Sequence, residues 1–436
     1  MIDFIASPWI PTVVLLLLAC GARVSSKSWL APGPFALLTW SVYLVIPLVL
    51  APEYKVSALG VWLILLLVGC IAIGADFGVV QPPNKPARAK LQALPAKSLL
   101  HLSLFLSGLS LLGVFYSAGE ALSKYSLDLS IPSLLSLGHL LSVERYAGEQ
   151  PPFLVRVLVI WVFSAALLGG MSFAKARTRT ERFLCFMPLF SALMYSVIQA
   201  AKANTLIVIA LGLGGYLAMR VALGGSPHVV TRKSLLITAA SVILVLSLFF
   251  VVDAIRSRNQ NQGIQFGADW GRAESASLGY LAVFSHWADN PEGPGAFHLS
   301  LGSYTVGGLL DVAGLHSRNV GVYSKSVSLD GNDTNIYTAF RGLIEDFSLP
   351  GAMIVCFLLG FLSGRAYKHS LCGSGTSAVW LAGFYAFLLW SPIVSLFYYN
   401  GPILAMLVGA LAVRKVTSAN RQRGSASLTI RPVGSV

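Results

Sequence analysis

The sequence predicts an all-α polytopic membrane protein of about eleven transmembrane helices, with one large loop between the eighth and the ninth. Three observations carry this. Hydrophobic residues make up 55% of the 436 and charged residues only 11%, whereas soluble domains carry about 25% charge. Apolar runs of roughly 20 residues, the length of helix that crosses a bilayer core, recur along the chain. Basic residues also collect in alternate loops, as topology-determining charges do. The net charge of +13 therefore has to be divided between the two sides of a membrane; it does not mark a basic face for nucleic acid.

Lipid offers no partners to free backbone N–H and C=O groups, so each run is read as a helix. The runs lie near residues 4–22, 30–50, 57–79, 98–117, 153–173, 183–200, 204–222, 235–252, 348–364, 377–396 and 400–414. The first is read as a span and not as a cleaved leader, despite Leu17-Leu18-Ala19-Cys20, because Met1 to Pro8 holds Asp3 and no Lys or Arg. The chain thus divides into eight helices over 1–252, an outer loop over 253–347, and three helices with a tail over 348–436.

Placing Lys85, Arg88, Lys90 and Lys97 inside gathers twenty basic and two acidic residues on that side and leaves eleven basic and sixteen acidic outside. This sets the N-terminus outside and the C-terminus inside. The five cysteines (Cys20, Cys70, Cys185, Cys356 and Cys372) fall in spans or on the inner side, so no disulfide and no cysteine metal site is expected.

Two outer loops are long. Residues 118–152 carry Glu120, Lys124, Asp128, Glu144, Arg145 and Glu149 around an apolar stretch, Ile131 to Leu141, suited to the interface. Residues 253–347 keep aromatic and aliphatic residues throughout, which predicts an ordered lid. No Walker-type phosphate loop, HExxH or GxSxG is present, and no Asp-x-Asp pair lies on the outer face, so neither a nucleotide engine nor a divalent metal is expected.

Outer-face cations near membrane level remain: Arg145, Arg156, Lys202, Arg256, Arg258 and Arg341. Guanidinium groups grip phosphate oxygens through a planar fork; the competing readings are snorkelling and local ion pairs. Arg145 has Glu149 at helical i+4 spacing, which favours an ion pair. Arg156 lies one turn into the fifth span and divides evenly between the readings. Lys202, on the turn between spans six and seven, favours snorkelling. Arg256 and Arg258 emerge together from the eighth span with only Asp253 to compensate them, which favours an anionic ligand.

The segment Asn332 to Gly351 leads into the ninth span. Helical spacing puts Ile336, Phe340, Leu343 and Phe347 on one stripe and Arg341 and Glu345 on another. Read plainly, this is an interfacial helix with an Arg341–Glu345 ion pair, with Ser348 capping the following span and Pro350 in its first turn.

The run Asn335-Ile336-Tyr337-Thr338-Ala339-Phe340-Arg341, followed by Asp346-Phe347 and Gly351, resembles the signature of the oligosaccharide repeat unit polymerases, the O-antigen polymerase (Wzy) superfamily. Gly279-Tyr280-Leu281 through Trp287 to Pro294 and the arginines after the eighth span extend the likeness over the C-terminal half; Lys202 departs from the arginine expected at its turn. The resemblance implies a GT-C-type inverting glycosyltransferase of the bacterial inner membrane, working without metal or cofactor on the periplasmic face. It would join undecaprenyl-diphosphate-linked oligosaccharides, alongside a flippase and a chain-length regulator. Arg341 and Arg256 would stabilise the leaving diphosphate, and Asp346, Glu345 and His286 are candidates to orient or deprotonate the acceptor hydroxyl. Arg258, Arg145, Arg156, Lys202, Asn335 and Tyr337 would bind substrate, and Trp287 and Tyr304 would offer flat faces to sugar rings, though packing within the lid accounts for either ring, and for His286, as well. An O-antigen ligase acting on lipid A-core and a polysaccharide or lipid transporter are the alternatives. The confinement of charge to span ends disfavours the transporter.

Overall fold

The computed structural model describes residues 7–79, 96–128, 130–224, 247, 251–252, 266–290, 299–315, 322–323 and 325–428. Within them the chain is mostly helical, and nine helices are long and apolar enough to cross a membrane. It is a multi-pass membrane protein. The eighth expected span, 235–252, lies outside the described residues except at 247, 251 and 252.

The first half begins with α1 (Trp9–Ser26), α2 (Pro32–Leu50), α3 (Ala58–Val79) and α4 (Ala96–Lys124). Lys27 ends α1 in the left-handed conformation, its N–H bonded to the Arg23 carbonyl, so the first span runs four residues past its expected end. The apolar stretch after α4 becomes α5 (Ile131–Tyr146), opened by the Ser130 hydroxyl, which accepts from the Ser133 N–H. The fifth span is α6 (Phe153–Val159) continued by α7 (Trp161–Phe173), and the sixth is α8 (Arg179–Leu184) followed by α9 (Met187–Ile198). A Thr178/Glu181 capping box starts α8. The seventh span is α10 (Lys202–Ala222).

The described part of the large loop holds α11 (Phe266–Leu278), α12 (Tyr280–Asp289), α13 (Gly307–Val312) and an antiparallel hairpin of β1 (Val327–Leu329) and β2 (Asn332–Thr334). Asp330 and Gly331, both at positive φ, make its two-residue turn. Three helices close the chain: α14 (Ala339–Leu371), α15 (Gly375–Trp390) and α16 (Asn400–Leu428). Ser348 interrupts α14 at φ 62°, ψ 170°, so a short leading helix, 339–347, meets the span proper there, with Pro350 just beyond.

Lipid supplies no hydrophobic drive between helices, so close backbone approach takes over. Gly74 and Gly78 of α3 lie against the backbone of α14, and Gly360 and Gly364 of α14 against the backbone of α3, with no space for a methyl group at any of the four. Gly214 packs likewise on Ala382 of α15. The large-loop segments are fastened to this core by tyrosines. The Tyr280 hydroxyl of α12 donates to the Tyr43 carbonyl, the Tyr43 hydroxyl donates to the Leu389 carbonyl at 2.9 Å, and Trp40 lies 4.8 Å from the ring of Phe340.

Candidate functional site

Helical spacing brings Arg341 and Glu345 onto one side of the leading helix of α14, residues 339–347, and burial makes the pair unusual. Arg341 Nε donates to Glu345 Oε1 at 2.8 Å, and the arginine is only 6% exposed. Its guanidinium carbon stands 3.8 Å from the ring centroid of Tyr337, 4.3 Å from that of Tyr323 and 5.7 Å from that of Trp287. An aromatic cage of this kind desolvates the cation while its π faces partly compensate. Arg341 Nη1, Glu345 Oε2 and the Tyr323 hydroxyl are buried without a hydrogen-bond partner. Such groups cost free energy unless a ligand or water completes them.

The cage has its own supports. Asn335 Nδ2 donates to the Tyr323 carbonyl at 3.1 Å, and the Tyr337 hydroxyl donates to the Lys325 carbonyl at 3.2 Å, which helps to hold Tyr323 over the guanidinium. Burial raises the Tyr323 phenol well above its ordinary range, with Glu345 adding to the effect and Arg341 opposing it. At any working pH it is a neutral hydroxyl. Tyr304 stacks on Tyr323 at 5.1 Å and 23° and is half-buried, the outermost ring of the group.

Asp346 is fully buried and its carboxylate is already well supplied with donors. It accepts from Ser300 Oγ at 2.6 Å, Tyr304 N at 3.1 Å and Thr305 N at 2.6 Å. This geometry makes Asp346 an anchor: it pins the 300–305 turn, and with it Tyr304, onto α14. Trp287, 8% exposed and packed 5.4 Å from Phe284, is a wall of the Arg341 cage and not an open platform for a sugar ring. His286, the next residue on α12, faces elsewhere, since neighbours on a helix diverge by about 100°. It is exposed and lines a separate cavity with Glu53, Lys55 and Asp330.

Arg145, Arg156 and Lys202 stand apart from this cluster. Arg145 donates to the carbonyls of Gln199 at 2.7 Å and Ala200 at 3.3 Å, at the end of α9. The expected Arg145–Glu149 pair does not form, because Lys124 takes both Glu144 and Glu149. Arg156 is exposed and donates to Gln150 Oε1 at 2.6 Å. Lys202 opens α10, half-buried, beside Ala200, against which Val252 packs. Arg256 and Arg258 lie outside the described residues.

Tyr323 and the Glu53–Lys55 turn were not singled out from sequence. Both sit in irregular segments where periodicity carries no information. No protein-family model, curated protein or solved structure matches the chain.

Proposed function

We propose that this protein is a membrane glycosyltransferase of the polysaccharide polymerase type, joining oligosaccharides carried on undecaprenyl diphosphate at the outer face of a bacterial inner membrane. The observation that supports it is where the buried charge lies. Among the described residues, Arg341 and Asp346 are the only charged side chains that are buried, and both are on the leading segment of α14. A transporter path would place ionisable groups deep in several spans; an enzyme working at the interface needs them gathered at one end.

In this reading Arg341 supplies the positive charge that meets the diphosphate as its bond to the sugar breaks. The unpaired Nη1 is the donor available for a phosphate oxygen, and the aromatic walls exclude water, so the contact strengthens as charge develops. Glu345, with one oxygen on Arg341 and the other unpaired, is the better-placed carboxylate to orient the acceptor hydroxyl. Diphosphate is a good leaving group, so no strong acid is required.

The test is genetic and chemical together. Deleting the gene should leave lipid A-core carrying a single repeat unit, since ligase and flippase still act; core with no repeat at all would favour the ligase or transporter. Purified protein should extend diphosphate-linked repeat units in excess EDTA, and rescue by Mg²⁺ alone would count against the arginine mechanism.

A further inference from the structure

We propose that the cavity on the His286 side of α12 is a second saccharide subsite, one that takes neutral or amino sugars and turns away uronic acids. Within the polymerase reading it would hold the acceptor glycan; the binding itself does not depend on that reading. Three separate segments converge on the cavity. Glu53, Tyr54 and Lys55 come from the turn between α2 and α3, His286 from α12, and Ser328 and Asp330 from the hairpin. The cavity is open to one side and measures about 460 Å³, within the range of small-ligand sites.

Tyr54 forms part of the lining and is 7% exposed. Among the described residues its hydroxyl makes no hydrogen bond, and Ala51, Ala282 and Leu329 pack around its ring. A buried phenol left unsatisfied at a cavity wall is a donor and acceptor in search of a partner. Around it stand Glu53, Glu274 and Asp330, none in an ion pair among the described residues. Burial first, then Glu53 and Asp330, raise the Glu274 carboxyl above its usual range; burial and the same three carboxylates push the Tyr54 phenol up to about 12.

The chemistry this selects is a polyol. Each sugar hydroxyl both donates and accepts, so it can donate to Glu53 or Asp330 and accept from Tyr54 or Lys55. A metal ion is a poorer match, because no three His, Cys, Asp or Glu side chains among the described residues are placed to share one. An anionic sugar would meet the two lining carboxylates, Glu53 and Asp330, with Glu274 nearby, against the single ammonium of Lys55, and the local field opposes it.

Ser328 is exposed at the cavity and reports on it. In protein whose five native cysteines are changed to serine, Ser328→Cys would be labelled with a maleimide in the presence of chitotetraose, its de-N-acetylated cationic counterpart, or tetragalacturonate. A ligand at twice its dissociation constant should slow labelling about threefold. The neutral and cationic oligosaccharides should do so, the uronate should not, and Tyr54→Phe combined with Asp330→Asn should abolish the protection. The proposal is overturned if neither of the first two protects, if the uronate protects equally, or if CaCl₂ alone reproduces the effect. Polymer yield in Arg341 variants tests the glycosyltransferase reading separately; its failure would leave the protection intact.

Discussion

Gly360 of α14 lies against the Ile71 carbonyl of α3 with no space for a side chain between them. Gly74 makes the reciprocal contact with the Phe357 carbonyl. Gly360→Leu or Gly74→Leu should therefore push the two helices apart and cost about 3 kcal/mol or more, since overpacking displaces backbone and not only side chains. Gly21→Ala, whose added methyl meets nothing within 4 Å, is the control. Thermal unfolding in detergent compares them, and equal midpoints would mean the helices do not pack this way.

The Arg341–Glu345 pair separates stability from function. Removing one partner strands a buried charge and should cost about 3–5 kcal/mol, whereas replacing both with apolar residues of similar volume is close to neutral. Arg341→Met with Glu345→Leu should thus fold and unfold like the parent and yet lose polymer formation by roughly a hundredfold. Arg341→Lys should recover only part of it, lacking the planar fork.

Asp346→Asn keeps the volume and removes the charge that three donors converge on. Leaving one of them unsatisfied should cost about 1–3 kcal/mol. Protease sensitivity should rise near Ser300–Thr305, the turn that Asp346 holds. Unchanged cleavage there would assign the carboxylate to chemistry instead.

Orientation is tested by Ser328→Cys on the hairpin and Arg179→Cys at the start of α8, both exposed. An impermeant thiol reagent should reach the first in intact spheroplasts and the second only after lysis. Ser275 is a poor reporter despite its place in the outer loop, because it is 2% exposed.

Glu274 carries a pH signature. Its carboxyl titrates above the unfolded value because burial, Glu53 and Asp330 disfavour the charge. The folded state therefore holds the proton more tightly, and the relief that protonation brings is fully present at low pH and lost as pH rises through the raised value. Glu274→Gln should raise the unfolding temperature at neutral pH by about 1 °C, the scale of a partly exposed site, and flatten the acid-side slope.

Much of this architecture was legible in the sequence. Runs of apolar residues located ten of the eleven expected helices within the described residues, because bilayer thickness imposes a length that composition reveals. Ser348 and Pro350 marked where α14 breaks, and the spacing of Arg341 and Glu345 predicted their pair. The aromatic cage was not legible, since Tyr323 reaches Arg341 from an irregular segment 18 residues upstream. Arg145 shows a different limit: i+4 spacing made Glu149 available, but Lys124, twenty residues before Glu144 and contributed by α4, competed for both carboxylates. Asp330 reads as part of a solvated turn from sequence, and Asp330-Gly331 forms the two-residue turn of the hairpin.

The break at Ser348 has a consequence for how the chain can vary. A continuous helix would lock its two ends in rotational phase, so any change that turned the lipid-facing side of the span would also swing Arg341 out of its cage. With φ at 62° between them, the two segments keep independent phases. The stretch after Pro350 is then free to be rewritten for a thicker or thinner bilayer, or exchanged for a foreign span that preserves Gly360 and Gly364, while residues 339–347 stay aimed by Asp346 and the tyrosines. A chimera joined at Ser348 should keep its leading helix in place; one joined at Leu343 should not.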